Sequence, residues 1–142
     1  MNQAELNDLE REYRAAIYTV RAGEREIRFR IGENSEKINR LLGERGAARF
    51  AQITAYNPRS ETLEDAENED RQENLRKVLR DSKFEFLESY NEDENGQHRE
   101  QSFFILGVSP EKAVEIGKQF EQNAIVCGEK NREIKLLWCL TD

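Results

Sequence analysis

The chain has 142 residues, 29 acidic against 22 basic, and a net charge of -7 with one histidine. That length suits one domain over residues 1–142, with enough core to need neither metal nor disulfide. The acidic balance (pI about 5.0) disfavours nucleic acid, whose binding draws on phosphate neutralisation. Apolar runs all fall short of the ~20 residues of a membrane span, and the N-terminal "MNQAELNDLERE" lacks an apolar signal core, so a cytoplasmic location is expected.

The segment from residue 3 to about 14 carries Leu6, Leu9 and Tyr13, with Ala16 just beyond, at helical spacing. In "IYTVRAGEREIRFRIG" the period shortens to two, which predicts two strands joined at "AGER". "NSEKINRLLGERG" reads as a helix capped by Asn34 or Ser35, with Ile38, Leu41 and Leu42 inward and Gly46 as its stop. "RFAQITAY" is a strand. Pro58 ends it and biases Asn57 to extended geometry.

"SETLEDAENEDRQENLRKVLRDS" is a long helix with acidic first turns and basic last turns. "KFEFLESY" and "EQSFFILGV" are strands joined through Asn95-Gly96. The second is apolar on both alternating faces, which places it centrally in a sheet covered on both sides. Ser109-Pro110-Glu111 opens the last helix, and "NAIVCG" and "EIKLLWCL" close the chain as strands. Hairpins separated by helices predict an α+β fold, a largely antiparallel or mixed sheet with helices packed on it.

Polar residues stand where a core helix would carry leucine. Leu75, Val78 and Leu79 define the inward stripe of the long helix, and Asn68 and Arg71 share its phase. The helix follows "ITAYNPRS", so Thr54, Asn57 and Ser60 lie close to its first inward groups. Gln122 and Asn123 sit between the last helix and an apolar strand, and Glu100 shares a strand face with Phe104 and Leu106. Capping and turn chemistry account for these residues as well as a binding site does. An inward Arg71 needs a carboxylate or an anion, and Glu100 is its first-choice partner.

These stretches, "ITAYNPRS", "ENEDRQENL", "NGQHREQSFFILGVS" and "FEQNAIV" in that order, resemble the bacterial domain-of-unknown-function family 3293. The likeness runs from about Tyr13 to Val126. His98 stands where the family pattern has Trp, and Ala16 where it has Thr. The resemblance implies a small bacterial cytoplasmic protein and brings no established activity.

Thr54, Asn57, Ser60, Asn68, Arg71, Glu100, Gln122 and Asn123 are thus the candidate ligand site, for a small polar or anionic molecule. Glu100 is the one candidate acid or base among them; no metal or cofactor is expected, and His98 has no nucleophile partner nearby. The alternative is an interaction module whose polar network is structural, with the first helix or "IKLLWCL" as a dimer or partner surface. A weaker third reading is nucleic-acid binding through Arg21, Arg25, Arg28 and Arg30. Cys127 and Cys139 are expected to be free thiols, too far apart to pair.

Overall fold

The stretch "SFFILGV" decides the architecture, because residues alternating along a strand face opposite sides and here both sides are apolar. The structure, a computed structural model describing residues 1–140, places it in the middle of a seven-stranded sheet of order β2-β1-β4-β5-β3-β6-β7. The strands are β1 (Ile17–Ala22), β2 (Arg25–Phe29), β3 (Arg49–Ile53), β4 (Glu85–Glu92), β5 (Arg99–Leu106), β6 (Ala124–Glu129) and β7 (Lys135–Trp138). Every pairing is antiparallel. The helices are α1 (Gln3–Ala15), α2 (Glu36–Glu44), α3 (Asp65–Asp81) and α4 (Pro110–Gln119). The fold is α+β.

Phe104 and Leu106 of β5 enter one core with Phe29, Phe50 and the inward face of α2, Ile38, Leu41 and Leu42. The rings of Phe50 and Phe104 stack at 4.4 Å. Phe103 and Ile105 enter the other core, under Leu75 and Leu79 of α3 and Ala113 and Ile116 of α4. Ser35 caps α2 through the Ile38 N–H at 3.2 Å, and Ser109 caps α4 through the Lys112 N–H at 3.1 Å. The β1–β2 register pairs Ala22 with Arg25, leaving Gly23 and Glu24 as a two-residue turn. That turn requires the positive φ of 65° that Gly23 adopts.

Local details depart from the sequence expectations in three places. The strand ends at Ile53 instead of running to the proline, and the long helix begins at Asp65 instead of at Ser60. Ser60 does not cap it; Glu64 occupies the N-cap without a side-chain bond. The first helix buries no residue at all. Its Tyr13 leans edge-on against Trp138 at 6.1 Å and packs on the margin of the first core, while Leu9 and Glu12 beside it line a cleft. The cysteines are free and buried in the second core.

Candidate functional site

The chain leaves the sheet after Ile53 because side chains capture its next amide groups. Ala55 N–H donates to Gln72 Oε1 at 3.0 Å, Tyr56 N–H to Thr54 Oγ1 at 3.0 Å, and Asn57 N–H to Asn68 Oδ1 at 2.9 Å. An amide engaged this way has no proton left for a ladder. Arg71 completes the attachment: Nε donates to Ala55 O at 2.7 Å and Nη2 to Phe120 O at 2.6 Å. The inward stripe of α3 therefore fastens the end of β3 to the end of α4.

Asn57 lies in the left-handed region, φ 46° and ψ 67°, contrary to the extended geometry expected before proline. Arg59 and Ser60 follow at φ 52° and 63°. Such conformations cost about 1–3 kcal/mol each and persist only where surroundings hold them. Asn57 is held from every side. Its Oδ1 accepts from Leu63 N–H at 3.0 Å and Asn68 Nδ2 at 2.8 Å, and its Nδ2 donates to Glu100 Oε2 at 2.8 Å.

These bonds form one wall of a cleft of about 770 Å³. Opposite lie α1, through Leu9, Glu12 and Tyr13, and the β4–β5 loop from Asn91 to His98. Glu100 lies between them, with Asn91 Nδ2 3.5 Å from its Oε1. Burial raises the carboxyl's pKa above the ordinary range, and the Asn57 and Asn91 amides pull it partly back. Burial also pushes the Tyr13 and Tyr18 hydroxyls up, with Glu100 adding to both, so they stay protonated. Tyr18 donates to Tyr13 O at 2.9 Å, which ties β1 to the last turn of α1.

Asn57, Ser60, Asn68, Glu100, Gln122 and Asn123 line this cleft; Thr54 and Arg71 do not. The Thr54 hydroxyl points across the sheet to Gln101 O at 2.6 Å. Arg71 does not pair with Glu100 as anticipated. Its carboxylate partner is Glu121, 3.5 Å from Nη1, and the two carbonyls accept from Nε and Nη2. Gln122 Nε2 donates to Tyr56 O at 3.0 Å and to Phe120 O at 3.2 Å. Asn123 Nδ2 donates to Ser60 Oγ at 2.9 Å, while its buried Oδ1 has no partner.

Sequence reasoning missed Gln72, although it sits seven residues before Leu79 on the same helical stripe. It also passed over Asn91, which only the pairing with Glu100 reveals. Among the described residues, no group of His, Cys, Asp and Glu is placed to hold a metal ion, and no helix is long and apolar enough to cross a membrane. The first hairpin is mixed in charge: Arg21 lies 3.9 Å from Glu26, and Arg25 lies 3.1 Å from Glu44.

Fold and cleft together define an α+β protein with an antiparallel sheet and a polar cleft at one end of its strands. The chain belongs to the family described as protein of unknown function (DUF3293), whose model matches residues 53–125, just over half its length. The match begins at the last residue of β3, later than the likeness from Tyr13 suggested, and takes in every candidate site residue from Thr54 to Asn123. No curated protein and no solved structure matches the chain.

Proposed function

We propose that the protein binds a small polar molecule in the cleft between α1, the β4–β5 loop and the segment from Asn57 to Asn68. The observation that carries this reading is Glu100: a part-buried carboxyl, bonded by neutral amides, facing an open volume of about 770 Å³. Ligand pockets commonly span about 300–1,000 Å³ and place a few polar groups on a rigid support. The support here is the lattice of Asn57, Asn68, Gln72 and Arg71 behind the wall.

An interaction module with a purely structural network accounts for Thr54, Asn68, Arg71, Gln72 and Gln122, whose groups are tied internally. It leaves the exposed side of Glu100 and the cleft without a role. The residues that would have marked a partner surface, Leu6, Leu9, Leu136 and Trp138, are half-buried instead of exposed. A bacterial, cytoplasmic setting accompanies this reading.

The test is a ¹⁵N–¹H NMR screen of the full chain against a mixture of polar metabolites, repeated on Thr62→Trp, an exposed position on the cleft rim. Binding should shift amides of residues 57–63, 91–100 and 122–123 and be lost in the variant while the rest of the spectrum is kept. Hits that map elsewhere, or that ignore the tryptophan, would sink the reading.

A further inference from the structure

Resting on that reading of the cleft, we infer that its ligand is an organic cation, a molecule presenting a primary amine or a guanidinium. The charged groups around the cleft are strongly one-sided. Glu12 comes from α1, Asp65 from the start of α3, Glu92, Asp93 and Glu94 from the end of β4 and its loop, and Glu100 lies between these walls. Against them stand His98 and Arg99; the Arg99 guanidinium lies 4.0 Å over the Tyr90 ring and donates to Glu92 Oε2 at 3.2 Å. Arg99 is thus already matched. Arg71, the group an anion would have needed, lies behind the wall on backbone carbonyls. Arg59 is likewise engaged, with Nη1 donating to Gln122 O at 3.2 Å.

The unfilled hydrogen-bonding capacity has the same sense. Among the described residues no ion pair includes Glu100. Its oxygens hold one amide donor each, and a carboxylate oxygen has room for another. Asn123, 2% exposed, stands in the cleft wall, and its buried carbonyl oxygen has no donor. Free acceptors call for a ligand that donates. A partly buried carboxylate without a counter-charge is costly, and a bound ammonium supplies that charge through short charge-assisted bonds. Tyr13 and Tyr56 add aromatic walls of the kind that attract cations. The net charge of -7 draws cations toward the molecule as a whole.

The experiment compares putrescine, butanediol and succinate, which share a four-carbon span and differ in charge, by NMR titration of the ¹⁵N-labelled full chain. Putrescine should shift amides of residues 57–63, 91–100 and 122–123 at concentrations where the other two do not. Glu100→Gln should weaken it about tenfold or more. The paired change Glu12→Gln with Glu94→Gln, at exposed positions that leave the wall's hydrogen bonds intact, should weaken it several-fold and flatten its salt dependence. Butanediol or succinate matching putrescine at the cleft overturns the charge inference and leaves the cleft reading standing. So does failure of putrescine while a polar metabolite from the screen binds there. Putrescine shifts scattered over the acidic surface and indifferent to Glu100→Gln overturn the inference as well. Silence from all three probes and from the metabolite screen removes inference and cleft reading together.

Discussion

Asn57 and Asn68 close a ring of two hydrogen bonds: the Asn57 backbone N–H donates to Asn68 Oδ1 at 2.9 Å, and Asn68 Nδ2 donates back to Asn57 Oδ1 at 2.8 Å. One amide side chain, 3% exposed, thereby satisfies both the backbone and the side chain of a residue in a left-handed conformation. Asn68→Ala leaves both partners unsatisfied and should destabilise the fold by about 2–3 kcal/mol in urea denaturation. Asn68→Asp keeps the acceptor and loses the donor, so it should recover only part of that loss. A loss near zero for the alanine variant would show that the Asn57 turn is held without this ring.

Arg71 joins the end of β3 to the end of α4 by donating to Ala55 O and Phe120 O, so its role is read in stability. Arg71→Ala should lower unfolding free energy by about 2–4 kcal/mol, two charged-donor bonds being lost at partly buried carbonyls. Arg71→Lys should rescue little, because a single ammonium cannot reach two carbonyls in the directions a planar guanidinium serves. Glu121→Ala, whose side chain is 55% exposed, should cost below about 1 kcal/mol. Equal losses at Arg71 and Glu121 would transfer the stabilisation from the carbonyls to the ion pair.

Glu100 sets a pH dependence with a definite sign. Burial raises its pKa in the folded protein, so the folded state holds this proton more tightly than the unfolded chain does. Its contribution to stability therefore falls as pH rises from the ordinary carboxylate range through the raised value, and the full penalty stands above it. Glu100→Gln removes the ionisation and should melt higher at neutral pH. That advantage should shrink as pH falls through the raised value toward the ordinary carboxylate range and be gone below it. Thermal melts of both proteins across acid and neutral pH check it; a constant gap at every pH would show that the carboxyl is not strained by its burial. A group that weakens the fold yet faces a cleft fits a trade of stability for binding.

Gly117 lies inside α4, where alanine would ordinarily add about 1 kcal/mol of helix propensity. Here a Cβ would sit 2.6 Å from Cys139 Sγ and 2.9 Å from Ile125 Cγ2. Overpacking of this kind costs about 1–3 kcal/mol, so Gly117→Ala should be net destabilising. Cys139→Ala in the same chain removes the sulfur and should recover part of the loss, a coupling that thermal melts of the two single variants and the double variant would reveal. Additive losses would mean that the helix shifts away from Cys139 at no cost.

What the amino-acid sequence determined by itself was whatever depends on neighbours within a turn or a strand. The central place of β5 follows from "SFFILGV" being apolar on both faces, and the caps of α2 and α4 follow from Ser35 and Ser109 standing just before their helices. The inward phase of Asn68 and Arg71 follows from 100° per residue, and Gln72 was legible by the same count.

Tertiary structure decided the rest, because hydrogen-bond partners distant in sequence outweighed local preference. Pro58 favours an extended Asn57, but bonds from Leu63, Asn68 and Glu100 hold it left-handed. The strand pattern of "RFAQITAY" continues past Ile53, but Gln72 and Asn68 take the amide protons that a ladder would use. The charge of Arg71 demanded a partner; only the packing of α4 beside β3 made that partner Phe120 and Glu121 instead of Glu100. Amphipathic spacing in α1 gave no means of telling a helix that closes a core from one that walls a cleft, since both require one apolar side and differ only in what the sheet leaves open beneath it.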